Sequence, residues 1–206
     1  MATRWRLWAV CVYVVVFAGC GSSAPDTSVS PGPETRRPSL QTPDSALYCV
    51  VAGIATKSAT LYAYALPDTL QDSADFHAFF DPQDLLDDAQ GGNTPPADWT
   101  TPNEKTFISQ LTTLVPVAKY NVAFTADPSR ADVLGAQETV YYRYYQVAYG
   151  SVPPQFLAFG VADLYFHRVG INKDWKMVRW VDRRDTTATG LRTMGMQRLQ
   201  IGSALP

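Results

Sequence analysis

Three side chains able to hold or move a proton stand at alternate positions near the end of one extended segment, QFLAFGVADLYFHRV: Asp163, Tyr165 and His167. Residues two apart on an extended chain share a face, so one face of 155–169 carries Leu157, Phe159, Val161, Asp163, Tyr165 and His167. The other carries Phe156, Ala158, Gly160, Ala162, Leu164, Phe166 and Arg168. Both faces are substantially apolar, and alternation leaves the register open. With the first face inside, burial would favour the neutral form of Asp163 and suit it to general acid–base work. Asp163 and His167 lie roughly 13 Å apart at about 3.3 Å per residue, too far for a hydrogen-bonded dyad. A partner for Asp163 must therefore come from a neighbouring strand, where Tyr142, Tyr144 and Arg179 are the candidates. A paired or solvated group at a sheet end is the commoner use of such residues.

Other chemistries find less support. The sequence has no G-x-S-x-G elbow, no phosphate-binding glycine loop and no H-E-x-x-H pair. Its histidines are His77 and His167, so a histidine-based metal site would need distant residues to converge. Seven aspartates between Asp68 and Asp88 raise calcium, but Asp81, Asp84, Asp87 and Asp88 lack the spacing, central Gly and terminal Glu of an EF-hand loop. Their expected role is a solvated face and turn capping. No metal and no cofactor is expected.

The elements that must position these groups are extended and rich in aromatics. YNVAF, ETVYYRYYQVAYG, QFLAFGVADLYFHRVG and DWKMVRWVDRRD are separated by turn signals at Asp127-Pro128, 150–154 and 170–174, so they predict successive antiparallel strands. Upstream, Thr42 and Pro43 start a helix whose apolar stripe runs through Leu47, Val50, Val51, Ile54, Leu61, Tyr62 and Ala65 to a stop at Pro67. Gly53 within it marks a place of close packing. Asp75–Pro82 predicts a short strand, and the acidic stretch from there to Asp98 a loop. Thr101-Pro102-Asn103-Glu104 predicts a capping box opening a helix to about Leu114, with Trp99 packing it onto the sheet. Residues 186–206 have scattered apolar positions and predict a short edge segment.

The N-terminus is an address. Arg4 and Arg6 precede an apolar run from Leu7 to Phe17, suited to a signal h-region and short for a bilayer span. Phe17-Ala18-Gly19-Cys20 resembles a bacterial lipobox, which implies lipidation at Cys20 and a membrane hold by acyl burial. Gly21 after it resembles lipoproteins sent to the outer membrane, facing the periplasm, where the cell has one. The Ser-, Pro- and Gly-rich stretch that follows predicts a flexible tether. Without residues 1–19 the balance is 15 basic against 19 acidic, near −4, which argues against nucleic acid. Cys11 leaves with the signal and Cys20 is lipidated, so Cys49 has no disulfide partner and fits a small buried hydrophobe.

The order of elements resembles the nuclear transport factor 2-like fold, the α+β cone shared with ketosteroid isomerase-like and SnoaL-like polyketide cyclase proteins. FHAFFDPQD (76–84), PADW (96–99) and WKMVRWVD (175–182) look like a group of bacterial lipoproteins with this fold. The resemblance implies a curved antiparallel sheet covered by N-terminal helices, with one face around a pocket. The expected organisation is a signal peptide over 1–19, the lipidated Cys20 and tether over 20–42, the cone over 43–185 and an extension over 186–206. The expected function is a non-catalytic module in the cell envelope that binds a small hydrophobic ligand or a protein. Its alternatives are a pocket enzyme of the isomerase or cyclase kind using Asp163, and a structural component pairing with a second copy through the outer sheet face.

Overall fold

The computed structural model describes residues 38–150, 153–188 and 190–202; the signal segment, Cys20 and most of the tether lie outside the described residues. The chain begins its core at Leu40, which is buried and whose carbonyl accepts from Trp175 N–H at 2.8 Å. Helix α1 (Pro43–Ala55) opens on a capping box in which Thr42 Oγ1 accepts from Ser45 N–H and Ser45 Oγ accepts from Thr42 N–H. The expected single helix is broken. Lys57 turns the backbone to φ +57°, Ser58 caps a new helix α2 (Ala59–Tyr64), and α2 folds back on α1. Gly53 permits this, because a Cβ there would lie 2.6 Å from the backbone nitrogen of Tyr62.

Strand β1 (His77–Phe79) follows, and Asp81 then caps α3 (Pro82–Gln90) through Gln83 N–H. This helix replaces the expected loop: the Asp81-Pro82 pair is a start signal, and the acidic composition concealed it. Helix α4 (Thr101–Leu114) runs over the expected residues, but the reciprocal cap is one residue earlier. Thr100 N–H donates to Asn103 Oδ1 at 3.1 Å, Thr101 bonds Asp75, and Glu104 is left to point inward.

Strands β2 (Asn121–Ala126), β3 (Val133–Leu134), β4 (Glu138–Tyr149), β5 (Gln155–Val169) and β6 (Asp174–Arg183) complete a six-stranded sheet in the order β1-β6-β5-β4-β2, with β3 also on β4. The pairings are antiparallel except that of β1 with β6, which is parallel. Register shifts at Val147/Ala148 and Tyr165/Phe166 bend the long strands. Gly170, at φ +66°, turns β5 into β6.

Burial settles the register that alternation left open. Ala158, Ala162, Leu164 and Phe166 of β5 join the core with Tyr141, Tyr145, Trp175 and Trp180, while Leu157, Phe159, Val161, Tyr165 and His167 are only half-buried on the outer face. The final described element is a helix, α5 (Met194–Gly202), in place of the expected edge segment. Thr193 Oγ1 caps it, accepting from Met196 N–H at 2.9 Å. Residues Met194 to Leu199 are buried as α5 packs on α3, α4, β5 and β6.

Candidate functional site

The interior of the cone is a polar network enclosed by aromatic rings. Glu104 lies one turn before Phe107 and Ile108 on the apolar face of α4, so helical periodicity alone aims its carboxylate inward. Four donors meet it: Tyr62 from α2 at 2.5 Å, Trp99 Nε1 at 2.8 Å, and Arg198 Nε and Nη2 from α5, both at 2.8 Å. The Arg198 guanidinium stacks over Trp180 at 4.5 Å and Phe107 at 5.2 Å. Glu104 and Arg198 are completely buried. Burial opposes the Arg198 charge, and the Glu104 carboxylate outweighs it, raising the guanidinium pKa. Burial first, and Glu104 second, push the Tyr62 phenol well above its ordinary value.

A second carboxylate, Asp182, shares the inner face of β6 with Trp180 and sits 3.7 Å from Arg198 Nη1. Tyr145 donates to its Oδ1 at 2.6 Å, and Gly195 N–H to its Oδ2. Tyr145 oxygen accepts in turn from Met194 N–H at 2.7 Å, so β4 and β6 jointly hold the first turn of α5. Burial raises the Asp182 pKa to about 7, against the opposing pull of Arg198 and Tyr145. Asp84, on the buried side of α3, is also raised by burial while Thr193 and Arg184 stabilise its anion. Among the described residues, the buried Arg198 Nη1 and Trp180 Nε1 meet no hydrogen-bond acceptor.

The residues singled out from sequence stand elsewhere. Asp163, Tyr165, His167, Tyr142, Tyr144 and Arg179 are on the outer face of the sheet and do not line the interior. The first face of β5 is the outer one because the second carries the small residues Ala158, Gly160 and Ala162 against which Tyr145 and α5 pack. Asp163 stands opposite Tyr142 across the strands, but its Oδ1 is bridged by Arg130 at 2.8 Å and by Arg183. Arg130 also stacks over Tyr142 at 3.7 Å. Arg179 lies over Tyr165 at 4.7 Å and Phe79 at 5.7 Å, and His167 Nε2 meets Glu138 at 2.6 Å. Tyr144 borders a surface depression of about 250 Å³ with Arg130, Val161 and Arg183. A groove of about 660 Å³ lies instead between α3, residues 184–188 and 190–192, and α5, floored by Phe159, Leu191 and Met196 and edged by Asp88, Arg192 and Gln200. Asp84 and Asp88, expected on a solvated face, are buried. Among the described residues no cluster of His, Cys, Asp or Glu is arranged to hold a metal ion.

No protein-family model and no curated protein matches the chain. Solved structures do. A protein from Thiobacillus denitrificans assigned as a calcium/calmodulin-dependent protein kinase type II association domain superposes with a TM-score of 0.51 at 11% identity, covering 72% of this chain and 99% of that one. Rv3472(D26N) from Mycobacterium tuberculosis, of unknown function, gives 0.51 at 10% identity over 78% and 85%. A dehydratase assigned to the NTF2-like family from Streptomyces avermitilis gives 0.48 at 10% identity over 70% and 99%.

Proposed function

The chain has the nuclear transport factor 2-like fold, a curved and mostly antiparallel sheet with helices over its inner face; we propose that it serves in a membrane-anchored protein of the bacterial envelope as a non-catalytic binding module. The observation that carries this reading is the occupancy of the cone. Arg198 and the rings of Trp99, Phe107, Tyr145 and Trp180 fill the space a substrate would need, and Glu104 spends its acceptor positions on four internal donors. Asp163 is buried on the outer face but bridged there by two arginines, so it is a paired carboxylate and not the lone one that acid–base work in a pocket requires. Recognition then falls to the surface, where the groove beside α5 offers an apolar floor with a polar edge.

The anchor rests on the resemblance of Phe17-Ala18-Gly19-Cys20 to a lipobox. Metabolic labelling with an alkyne fatty acid in a bacterial host tests it: the wild-type chain takes the label and partitions into detergent, and Cys20→Ala does neither. An unlabelled wild type sinks the anchor. Native mass spectrometry of a chain that retains Leu40 tests the module. A bound mass lost in Met196→Trp, which obstructs the groove, supports it. A bound mass retained there but lost in Arg130→Ala moves the site to the outer sheet face.

A further inference from the structure

The charges beneath α5 do not balance. Three buried carboxylates, Glu104, Asp84 and Asp182, share one buried guanidinium, Arg198, and one at the rim, Arg184, which Asp87 also engages. Glu104 takes the fork of Arg198 for itself. Asp182 and Asp84 are left to crowd the first turn of α5: a Cβ on Gly195 would lie 3.1 Å from Asp182 Oδ2 and 3.4 Å from Asp84 Oδ2. Burial, with a second buried carboxylate beside the same turn, favours the protonated form of Asp182. The groups facing Asp182 are Tyr145 from β4, Asp84 from α3 and Arg198 from α5, with Glu104 from α4 and Tyr62 from α2 behind the guanidinium.

The helix that covers these acids is attached by side chains rather than by a strand ladder. Met194 and Gly195 reach Tyr145 and Asp182, Gln197 Nε2 reaches Leu157 O at 2.7 Å, and Arg198 reaches Glu104.

We propose that α5 is a proton-linked plug of the cone: its seating takes up a proton at Asp182, with Asp84 as a neighbouring charge, so the helix is held most firmly in acid and loosens as pH rises to neutrality. The sign follows from linkage. A buried carboxyl whose pKa lies above its value in water, about 3.9, stabilises the seated form fully below that value and loses this contribution as pH rises through the buried value, about 7 for Asp182. Release exposes a chamber lined by Tyr62, Glu104, Tyr145, Trp180 and Asp182. Because α5 also supplies Met196 and Gln200 to the surface groove, its release would take that groove apart as well.

Hydrogen exchange of the full chain, read by mass spectrometry on a peptide spanning 193–200 at pH 5, 6, 7 and 8, tests it. After division by the base-catalysed intrinsic rate, protection of α5 is expected to be lower than that of β4 and β5 and to fall about tenfold per pH unit up to pH 7, then level. Asp182→Asn is expected to flatten this slope, and Asp84→Asn, which removes the crowding charge, to reduce it. Protection of α5 that is constant with pH overturns the proposal, as does protection equal to that of the sheet at every pH, which would mean the helix leaves only on global unfolding. A full slope in Asp182→Asn removes Asp182 from the role. Should that variant not fold, the wild-type slope and Asp84→Asn decide.

Discussion

Arg198→Met is the sharpest perturbation of the interior. Methionine conserves much of the volume and reach of the side chain, so packing on Trp180 and Phe107 largely survives while the guanidinium is lost. Glu104 then keeps the Tyr62 hydroxyl and Trp99 Nε1 as donors but holds a negative charge in a fully buried site. Breaking a buried pair from one side costs about 3–5 kcal/mol. At roughly 2–4 °C per kcal/mol for a chain of this size, the melting temperature should fall by about 6–20 °C. Glu104→Gln leaves Arg198 with Asp182 at 3.7 Å and sets an amide N–H against its donors, a loss of similar size. In the double variant both charges are gone and the Gln oxygen still accepts from Tyr62 or Trp99, leaving about 1–3 kcal/mol for the one unsatisfied donor. Urea denaturation of the four proteins closes the cycle, with an expected coupling of at least about 2 kcal/mol. Single losses under about 1 kcal/mol, or a double loss equal to the sum of the singles, would refute the picture of a tightly coupled buried pair.

Three further outcomes are expected. Gly53→Ala, normally worth up to about 1 kcal/mol in favour of a helix, should here destabilise by about 2–3 kcal/mol because its methyl meets the Tyr62 backbone; a stabilised variant in chemical denaturation would contradict the α1–α2 contact. Cys49 is buried, and burial lifts its thiol to about 11, so at pH 8 alkylation by iodoacetamide should proceed only at the rate of unfolding, as mass spectrometry of timed samples will show. His167→Ala removes a half-exposed pair with Glu138 and should change stability by less than about 1 kcal/mol in thermal denaturation.

Much of the sheet was legible in the sequence because long strands with turn signals leave few alternatives, and α4 because its apolar stripe and start agree. The inner network was only half visible. The capping pattern assigns Glu104 to the helix start, yet its place one turn before Phe107 and Ile108 puts it on the buried face, where helical periodicity prevails. Asp182 lies two residues after Trp180 and so on the same face, a signal available once Trp180 is taken as core. Arg198 had no such signal, because α5 has no sustained period and its arginine is buried only through carboxylates about 16 and 94 residues earlier in the chain. Asp163 lies outside for a physical reason: a strand apolar on both sides gives equal weight to either register, and the packing of Tyr145 and α5 on Ala158, Gly160 and Ala162 decides between them.

The parallel pairing of β1 with β6 bears on how the molecule assembles. β4, β5 and β6 form a meander whose turns are short, so it closes at little entropic cost. His77 must find Arg179, and Leu40 must find Trp175, across more than a hundred intervening residues. Such distant contacts form slowly relative to local ones. During refolding the meander should acquire its cooperativity first, with the strip from Leu40 to Phe79 joining afterwards. For an interval the chain presents an uncovered strand edge on β6, open to pairing with another molecule, and crowded refolding should favour association through that edge.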